Sequence, residues 1–315
     1  MKLSKKAVKI AGIFLATAAV ITALVFGSVY FFVFKPSFER GKMSEDLDHF
    51  KKEEYVEAHT ADKNWFLEQK YSEISMKSFD GLNLAAYKLD AGNAKGTFVL
   101  MHGYHSDPLR EFAGLARFYF ELGYNVILPY QRAHGKSEGK YITFGVKERY
   151  DLRDWILEAN KLYGSEEPVY LEGISMGSAT VLMSLGFDLP KNVAGVVADC
   201  GFTSPEEIIW KVLKKDKKLP LSHLIMAIGE FMTKHIADFD EREFSTLTAL
   251  KHNKIPVIFI HGAADDFVPI EMTIANFQMC RSKKSLYIVP DCPHAIAYLV
   301  DEEKYHKKVT DFFGL

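Results

Sequence analysis

The stretch "LEGISMGSAT", residues 171 to 180, places Ser175 between Gly173 and Gly177 and continues with small residues. This Gly-x-Ser-x-Gly pattern is typical of a sharp strand-to-helix turn that lifts a serine hydroxyl clear of a sheet. Glycines suit such a turn because they carry no side chain to collide where the chain reverses. A pattern this short also arises by chance, so its meaning depends on its structural context.

That context is a predicted strand before the serine and a predicted helix after it. The segment "EPVYLEG", residues 167–173, is a short apolar run of the kind that forms a buried strand. The segment "SATVLMSL", residues 178–185, reads as a closely packed helix. Ser175 therefore falls at the carboxyl end of a strand, where such a turn requires it.

The same alternation of strands and helices extends along most of the chain. Asp80-Gly81, flanked by segments of period-two alternation, predicts an antiparallel hairpin. Six apolar runs follow, most of them separated by helix-length segments: 96–103, 124–130, 167–173, 193–200, 255–262 and 284–290. Continuous apolar strands between helices predict a mostly parallel eight-stranded sheet with helices on both faces. Ligands of such sheets bind at the carboxyl ends of the strands.

A nucleophilic serine needs a base within hydrogen-bond reach and an acid that orients the base. His294 lies in "DCPHAIAYL", directly after the last predicted strand, and is our candidate base. His306 lies in "EEKYHKKV", a charged helical face, and is expected on the solvated surface.

The candidate acid lies in "AADDFVP", after the predicted strand 255–262. Asp265 is preferred to Asp266 because neighbouring side chains point in different directions and only one of them can face the histidine. Asp199, at the end of the predicted strand 193–200, is a third possibility, although capping of the turn that follows is the simpler interpretation.

Acyl transfer also requires hydrogen-bond donors for a developing oxyanion. The backbone N–H groups of Met176, after the serine, and Tyr104, in the loop after the predicted strand 96–103, are the candidates. His102 is expected to be a packed, hydrogen-bonded residue of that loop.

Five segments in this order resemble the serine α/β-hydrolase superfamily, and in particular the membrane-anchored or secreted esterase-like members of the serine aminopeptidase S33 type. They are "VLMHGYHSD", "PYQRAHGKSEGKYITFGVKERYDLRDWI", "YLEGISMGSAT", "HGAADDFVP" and "PHA". The resemblance implies an α/β-hydrolase fold, a triad of Ser175, Asp265 and His294, and an oxyanion hole at Tyr104 and Met176. It implies neither a cofactor nor a metal.

The chain departs from these relatives at "QRAHGKS", residues 131–137, where they often have Asp-x-Arg-Gly-x-Gly-x-Ser. The departure makes it unsafe to carry over a relative's substrate. Arg132 and His134 of this segment are candidates to line the site, and a structural role in the loop is the preferred interpretation.

The N-terminus predicts a membrane anchor. Four lysines precede an apolar run from Ile10 to Phe34, which as a helix is long enough to cross a bilayer. A cleaved signal peptide with Ala16-Thr17-Ala18 at its cleavage site is the alternative, but the run is longer than such segments usually are. The lysines favour a cytoplasmic N-terminus, a single-pass protein of the cell membrane and an extracytoplasmic catalytic domain.

We therefore predict three parts. Residues 1–35 form a cytoplasmic stub and transmembrane anchor, residues 36–70 a charged stalk, and residues 71–315 the hydrolase domain. An insertion at about 205–254 is too long for an ordinary connection and reads as a helical cap, with Ser204 and Pro205 at its start. Its apolar stripe, Leu224 to Met232, is expected to serve mainly in packing.

Composition excludes other classes. A formal net charge of −2 gives no support for nucleic-acid binding, and the three widely spaced cysteines indicate neither a disulfide framework nor a zinc site. The sequence predicts a serine hydrolase that acts on a small-molecule or lipid-like acyl ester. A peptidase or thioesterase with the same triad and a non-catalytic membrane-tethered binding protein are the alternatives, and the oligomeric state is left undetermined.

Overall fold

The computed structural model describes residues 4–29, 52–216 and 222–315. One mixed sheet lies at its centre, and its eight strands are β1 (Ser72–Lys77), β2 (Asn83–Leu89), β3 (Thr97–Met101), β4 (Asn125–Pro129), β5 (Val169–Ile174), β6 (Val193–Asp199), β7 (Val257–Gly262) and β8 (Lys284–Val289). They are arranged in the order β1-β2-β4-β3-β5-β6-β7-β8.

The sheet is parallel except at one edge. β1 and β2 form the antiparallel hairpin, with Lys77 opposite Asn83, and β2 pairs antiparallel with β4. All the remaining neighbours, from β4 across to β8, are parallel. The predicted fold class, a mostly parallel eight-stranded sheet with an antiparallel opening pair, is confirmed.

The helices are α1 (Lys5–Val29), α2 (Glu53–Glu68), α3 (Pro108–Glu121), α4 (Glu148–Tyr163), α5 (Met176–Ser184), α6 (Pro205–Lys211), α7 (Ser222–His235), α8 (Thr246–Leu250), α9 (Ile270–Met279), α10 (Ala297–Val300) and α11 (Glu302–Phe313). Sequence signals set several of their starts. Asp107 caps α3 by accepting hydrogen bonds from two backbone N–H groups, and Ser204 caps α6 ahead of Pro205.

Two apolar layers cover the sheet, because successive side chains of a strand point to opposite faces. On β3, Phe98 and Leu100 join the layer formed with α3 and α11, whereas Val99 and Met101 join the layer formed with α4 and α5. A strand buried on both faces needs an unbroken apolar sequence, which is why these strands were recognisable.

The predicted cap is helical. It consists of α6, a π-helical turn (Val212–Asp216) and α7, while residues 217–221 lie outside the described part of the chain. α8 packs against α5 instead of over Ser175.

The predicted anchor corresponds to α1, whose residues Lys5–Gly27 are long and apolar enough to cross a membrane. The end of the predicted apolar run and most of the predicted stalk, residues 30–51, lie outside the described residues. The later part of the stalk forms α2, which contacts α3 and buries Phe66 in the core.

The expectation for His306 is wrong. Its ring stacks on Phe118, with 3.6 Å between the ring centroids, and burial lowers the pKa of the imidazole to about 4. The reason is the position of α11, whose Tyr305 and Val309 are buried in the core. His306 is next to Tyr305 and therefore packs against α3, although the other residues around it in the sequence are charged.

Candidate active site

Ser175 occupies a strained turn between β5 and α5. Its φ of 55° and ψ of −115° are unusual for a residue with a side chain. Two glycines make the turn possible: a Cβ at Gly173 would lie 2.3 Å from the carbonyl carbon of Gly177, and a Cβ at Gly177 would lie 1.7 Å from the carbonyl oxygen of Met101. Helix and strand backbones approach closely here, and the serine is held at the carboxyl edge of the sheet.

The structure brings Ser175, His294 and Asp265 together in one hydrogen-bonded chain. His294 Nε2 lies 2.9 Å from Ser175 Oγ, and His294 Nδ1 lies 2.7 Å from Asp265 Oδ2. Ser175, His294 and Asp265 lie in the loops that follow β5, β8 and β7 respectively. Because these strands are parallel, the three loops lie at the same edge of the sheet. This geometry allows a histidine to take a proton from a serine hydroxyl.

The surroundings of Asp265 favour its charged form. Burial alone would raise the pKa of this carboxyl, but hydrogen bonds to His261 and His294 outweigh burial and hold the pKa well below its usual range. Its second oxygen accepts hydrogen bonds from the backbone N–H groups of Phe267 and Val268, at 2.9 Å and 2.8 Å. The carboxylate is thereby fixed in position on both sides.

His261 is a site residue that the sequence analysis missed. It lies within β7, is fully buried, and its Nε2 is 3.2 Å from Asp265 Oδ2 and 3.0 Å from the carbonyl oxygen of Val268. Its Nδ1 is 2.8 Å from Thr273 Oγ1. A histidine inside an apolar strand was the available signal, because a buried polar ring needs partners.

The other two candidate acids do not reach the histidine. Asp266, next to Asp265, is exposed, and its backbone carbonyl accepts a hydrogen bond from Lys211. Asp199 is buried at the end of β6, where burial raises its carboxyl pKa well above the ordinary value. Its Oδ1 has no hydrogen-bond partner among the described residues, and its backbone carbonyl accepts the N–H of Ser175 at 2.9 Å.

The two candidate oxyanion donors flank the serine. Met176 is the first residue of α5, so its N–H has no acceptor within the helix. Tyr104 follows Gly103, where an added Cβ would lie 3.4 Å from the Cβ of Ser175. The loop after β3 thus passes directly beside the serine.

Glu111, which the sequence analysis also missed, holds that loop through a hydrogen bond to its backbone. Its Oε2 accepts the backbone N–H of Gly103 at 2.6 Å. Burial raises the pKa of its carboxyl to about 7, although the hydrogen bonds it accepts act in the opposite direction. Nothing in "PLREFAGL" distinguishes this glutamate from a solvated one, because the loop that covers it lies elsewhere in the chain.

The histidines and Arg132 behind the loop are structural. His102 is fully buried, its Nε2 accepts the N–H of Gln131 at 3.0 Å and its Nδ1 lies 2.8 Å from the Gly103 carbonyl. His134 is also buried, and its Nε2 accepts the N–H of His105 at 3.2 Å.

Arg132 forms a buried ion pair with Asp151, through bonds of 2.7 Å and 2.6 Å, and also binds Asp80. Arg132 and His134 do not line either of the two cavities that Ser175 borders. The structure therefore places both in the architecture of the loop.

Two cavities of about 320 Å³ each meet at Ser175. The first lies on the His294 side and has a mixed lining that includes Arg110, Asp266, Phe267 and the loop after β3. The second lies beneath the cap and is mainly apolar, with a lining that includes Ile142, Phe144, Ile208, Ile225, Met226 and Gly229.

Polar groups are few in the cavity beneath the cap. Thr233 Oγ1 donates to Glu241 Oε2 at 2.6 Å, and both residues are buried in its wall. The volume is near the lower end of the range for small-molecule sites. An apolar chain attached to a reacting carbonyl fits such a space.

One group of residues in the described part of the chain has the donor types of a metal site. Cys200, Asp265 and His294 offer atoms that all lie within 4.8 Å of one another. Two of these three residues already bind each other and Ser175, so the arrangement is that of a hydrogen-bonded triad. Cys200, Cys280 and Cys292 are all buried free thiols.

Comparisons with known proteins point to α/β-hydrolases. A family model described as serine aminopeptidase, S33, matches residues 92–226. The uncharacterised protein YqkD of Bacillus subtilis is 27% identical over 95% of this chain and 94% of its own length. Protein bem46 of Schizosaccharomyces pombe is 25% identical over 78% of this chain and 77% of its own.

Solved structures show the same architecture. The esterase Pf2001 of Pyrococcus furiosus is 26% identical, with a TM-score of 0.64 over 79% of this chain and 93% of its own. An esterase of Exiguobacterium antarcticum, 17% identical with a TM-score of 0.57 over 76% of this chain and 99% of its own, shares the fold. These neighbours support a hydrolase activity. The family match and the structural neighbours support membership of the serine α/β-hydrolase superfamily.

Proposed function

We propose that this protein is a serine hydrolase that cleaves ester-type acyl bonds through Ser175, His294 and Asp265. The observation that carries the proposal is the hydrogen-bonded chain of these three side chains, which opens onto an apolar cavity. A hydroxyl, an imidazole and a carboxylate in this order are the groups that nucleophilic acyl transfer requires.

The first half of the reaction forms an acyl-enzyme. Ser175 Oγ attacks the ester carbonyl while His294 Nε2 takes the hydroxyl proton, and Asp265 stabilises the imidazolium from the other side of the ring. The tetrahedral intermediate then collapses, the bond to the alcohol breaks, and the alcohol leaves with the proton from His294. In the second half, water attacks the acyl-enzyme by the same proton transfers and releases the acid.

Negative charge on the carbonyl oxygen is stabilised in both halves by the N–H groups of Tyr104 and Met176. Fixed backbone donors next to the reacting carbon lower the barrier because they need no reorganisation as the charge develops. Glu111 holds the loop of Tyr104 through Gly103, so it acts as a positioning residue.

The two cavities suggest how a substrate lies across the site. The apolar cavity beneath the cap accepts the acyl chain, and the more polar cavity beside His294 accepts the alcohol. An acyl chain matches the apolar lining better than a peptide does, because a peptide backbone would leave polar groups unpaired there. This favours an ester over a peptide substrate.

A fluorophosphonate probe and a substrate panel test the proposal. The unmodified protein is expected to react with the probe and to hydrolyse p-nitrophenyl esters, whereas Ser175→Ala should lose labelling and lower kcat/KM by a factor of about 10⁴ or more. Full activity in Ser175→Ala would refute the assignment. Faster turnover of matched thioesters or peptide amides than of oxygen esters would replace the ester activity with a thioesterase or a peptidase.

We further propose that α1 anchors the protein in the cell membrane as a single-pass helix, with the catalytic domain on the extracytoplasmic side. The length and apolar composition of α1 support the anchor. The lysines that precede the apolar run support the orientation.

A further inference from the structure

The cap helix α7 presents apolar side chains in three directions. Ile228 and Met232 are buried in a cluster with Val146. Other residues of the helix line the cavity at Ser175. Leu224 and Phe231, two turns apart on a third face, are 37% and 53% exposed. The predicted packing stripe is therefore divided, because one helix both covers the cavity and exposes an apolar face.

The exposed face continues beyond the helix and is close to an aromatic and a basic side chain. Ile236, directly after α7, is 38% exposed. In the preceding part of the cap, the ammonium group of Lys214 lies 4.4 Å from the ring centre of Trp210, and that ring contacts His223 of α7. Tryptophan and lysine next to exposed aliphatic groups are typical of a surface at a membrane interface.

The candidate membrane-spanning helix packs against the same cap helix. α1 contacts α7, and Val25 and Phe26 of α1 pack on the cluster that contains Ile228 and Met232. The earlier part of α1 is exposed, including Phe14 at 74% and so available to lipid.

This contact fixes the depth of α7 once α1 crosses a bilayer. Ile10, where the apolar run starts, and Phe26 are separated by about 24 Å of helix at 1.5 Å per residue. A hydrocarbon core is about 30 Å thick, so Phe26 lies within it or at its boundary. A helix that packs on Phe26 then lies within reach of the boundary between acyl chains and headgroups.

We propose that α7 is a membrane-contacting helix and that the cavity behind it takes the acyl chain of a membrane lipid ester from the bilayer. Leu224, Phe231 and Ile236 insert at the interface, and the opposite face of α7 guides the acyl chain to Ser175. The inference rests on the proposed ester hydrolysis and on α1 spanning the membrane. It adds the substrate class, a bilayer-embedded acyl ester, and the surface that reaches it.

The membrane contact is tested without any measurement of activity. The three native cysteines are buried, so Phe231→Cys can be labelled with the environment-sensitive fluorophore NBD in the full-length chain. Leu157→Cys, on an exposed apolar position of α4, is the matched control. In phosphatidylcholine proteoliposomes we expect NBD at position 231 to show blue-shifted emission, and we expect spin-labelled lipid to quench about half of that emission. NBD at position 157 should show neither effect.

Water-like emission at both positions would overturn the proposal. Blue-shifted emission at position 231 that spin-labelled lipid does not quench would also overturn it, because a protein partner or a second copy would then cover the face.

The substrate class is tested by two double variants of the full-length chain in the same vesicles. Leu224→Glu/Phe231→Glu places charges on the proposed membrane face, and Leu157→Glu/Leu162→Glu places them on exposed apolar positions of α4. The first variant should hydrolyse a long-chain ester embedded in the vesicles about tenfold more slowly and soluble p-nitrophenyl butyrate within about twofold of the unmodified rate. The second variant should change neither rate.

Equal losses on both substrates, or no loss on either, would overturn delivery from the bilayer. If the unmodified chain hydrolyses neither ester, the proposed function itself fails, and the fluorescence comparison still decides whether α7 contacts lipid.

Discussion

Asp265 is bound by two imidazoles, and it differs in this from its neighbour Asp266. Asp265→Asn keeps the shape of the side chain but removes the charge that stabilises the imidazolium of His294. We expect kcat on a p-nitrophenyl ester to fall by a factor of about 10⁴, as for the equivalent change in serine proteases. Asp266→Asn is the matched control and should stay within about twofold of the unmodified protein. Comparable losses in both variants would show that the assignment of Asp265 as the acid is wrong.

We expect Glu111 to make folding stability depend on pH. Burial raises the pKa of its carboxyl from 4.5 to about 7, so between these two values the folded protein holds a proton that the unfolded chain releases. Its contribution to the free energy of unfolding therefore falls as the pH rises through this window, by up to roughly 3 kcal/mol.

Glu111→Gln removes that titration and keeps an oxygen for the N–H of Gly103. The variant should gain stability relative to the unmodified protein between pH 4.5 and pH 8, in urea unfolding at each pH. Glu303→Gln, at an exposed position of α11, should show no such trend. A stability difference that is independent of pH would contradict the assigned cause.

At the level of elements, the turn between β5 and α5 depends on the absence of a side chain at Gly177. Gly177→Ala would place a methyl group 1.7 Å from the Met101 carbonyl oxygen, so β3 and α5 would have to separate. We expect a loss of more than about 4 kcal/mol of unfolding free energy, or no soluble protein. Gly229→Ala, inside α7 where an added Cβ meets no atom within 4 Å, should instead be stabilising by up to about 1 kcal/mol.

Gly229 also offers a test of the cavity as an acyl site. Because it lines the cavity and has open space beside it, Gly229→Phe should occupy part of the volume that we assign to the acyl chain. We expect kcat/KM to fall more than about tenfold on p-nitrophenyl laurate and to change little on the acetate. An equal effect along the whole ester series would show that the acyl chain binds elsewhere.

The elements themselves were largely readable from sequence. The predicted strand 193–200 corresponds to β6 (Val193–Asp199). A strand that is buried on both faces has an unbroken apolar sequence, so its two ends can be recognised. The helix of His306 shows where a prediction of burial from neighbouring residues fails. Its charged neighbours indicated solvent, but contact with Phe118 depends on how α11 lies against α3, which is a long-range property.

At the level of the whole molecule, the sequence located the loops that carry Ser175, Asp265 and His294, because their order along the chain and their positions after strands are local features. Their catalytic roles stay a prediction. Glu111 could not be assigned in the same way, since it acquires its role from Gly103, which folding brings to it from the loop after β3. His261 lies only four residues before Asp265, and its position inside an apolar strand was the local signal of its role.

The arrangement of the whole chain across a membrane gives the last prediction. Leu157→Cys is exposed on α4 and the native cysteines are buried, so a membrane-impermeant maleimide reports the side on which the catalytic domain lies. In intact bacterial protoplasts we expect labelling equal to that in lysed cells, because the lysines before α1 favour retention of the N-terminus in the cytoplasm. Labelling only after lysis would reverse the orientation. Release of the labelled protein by alkaline carbonate would show that α1 does not anchor it and would favour the cleaved signal peptide.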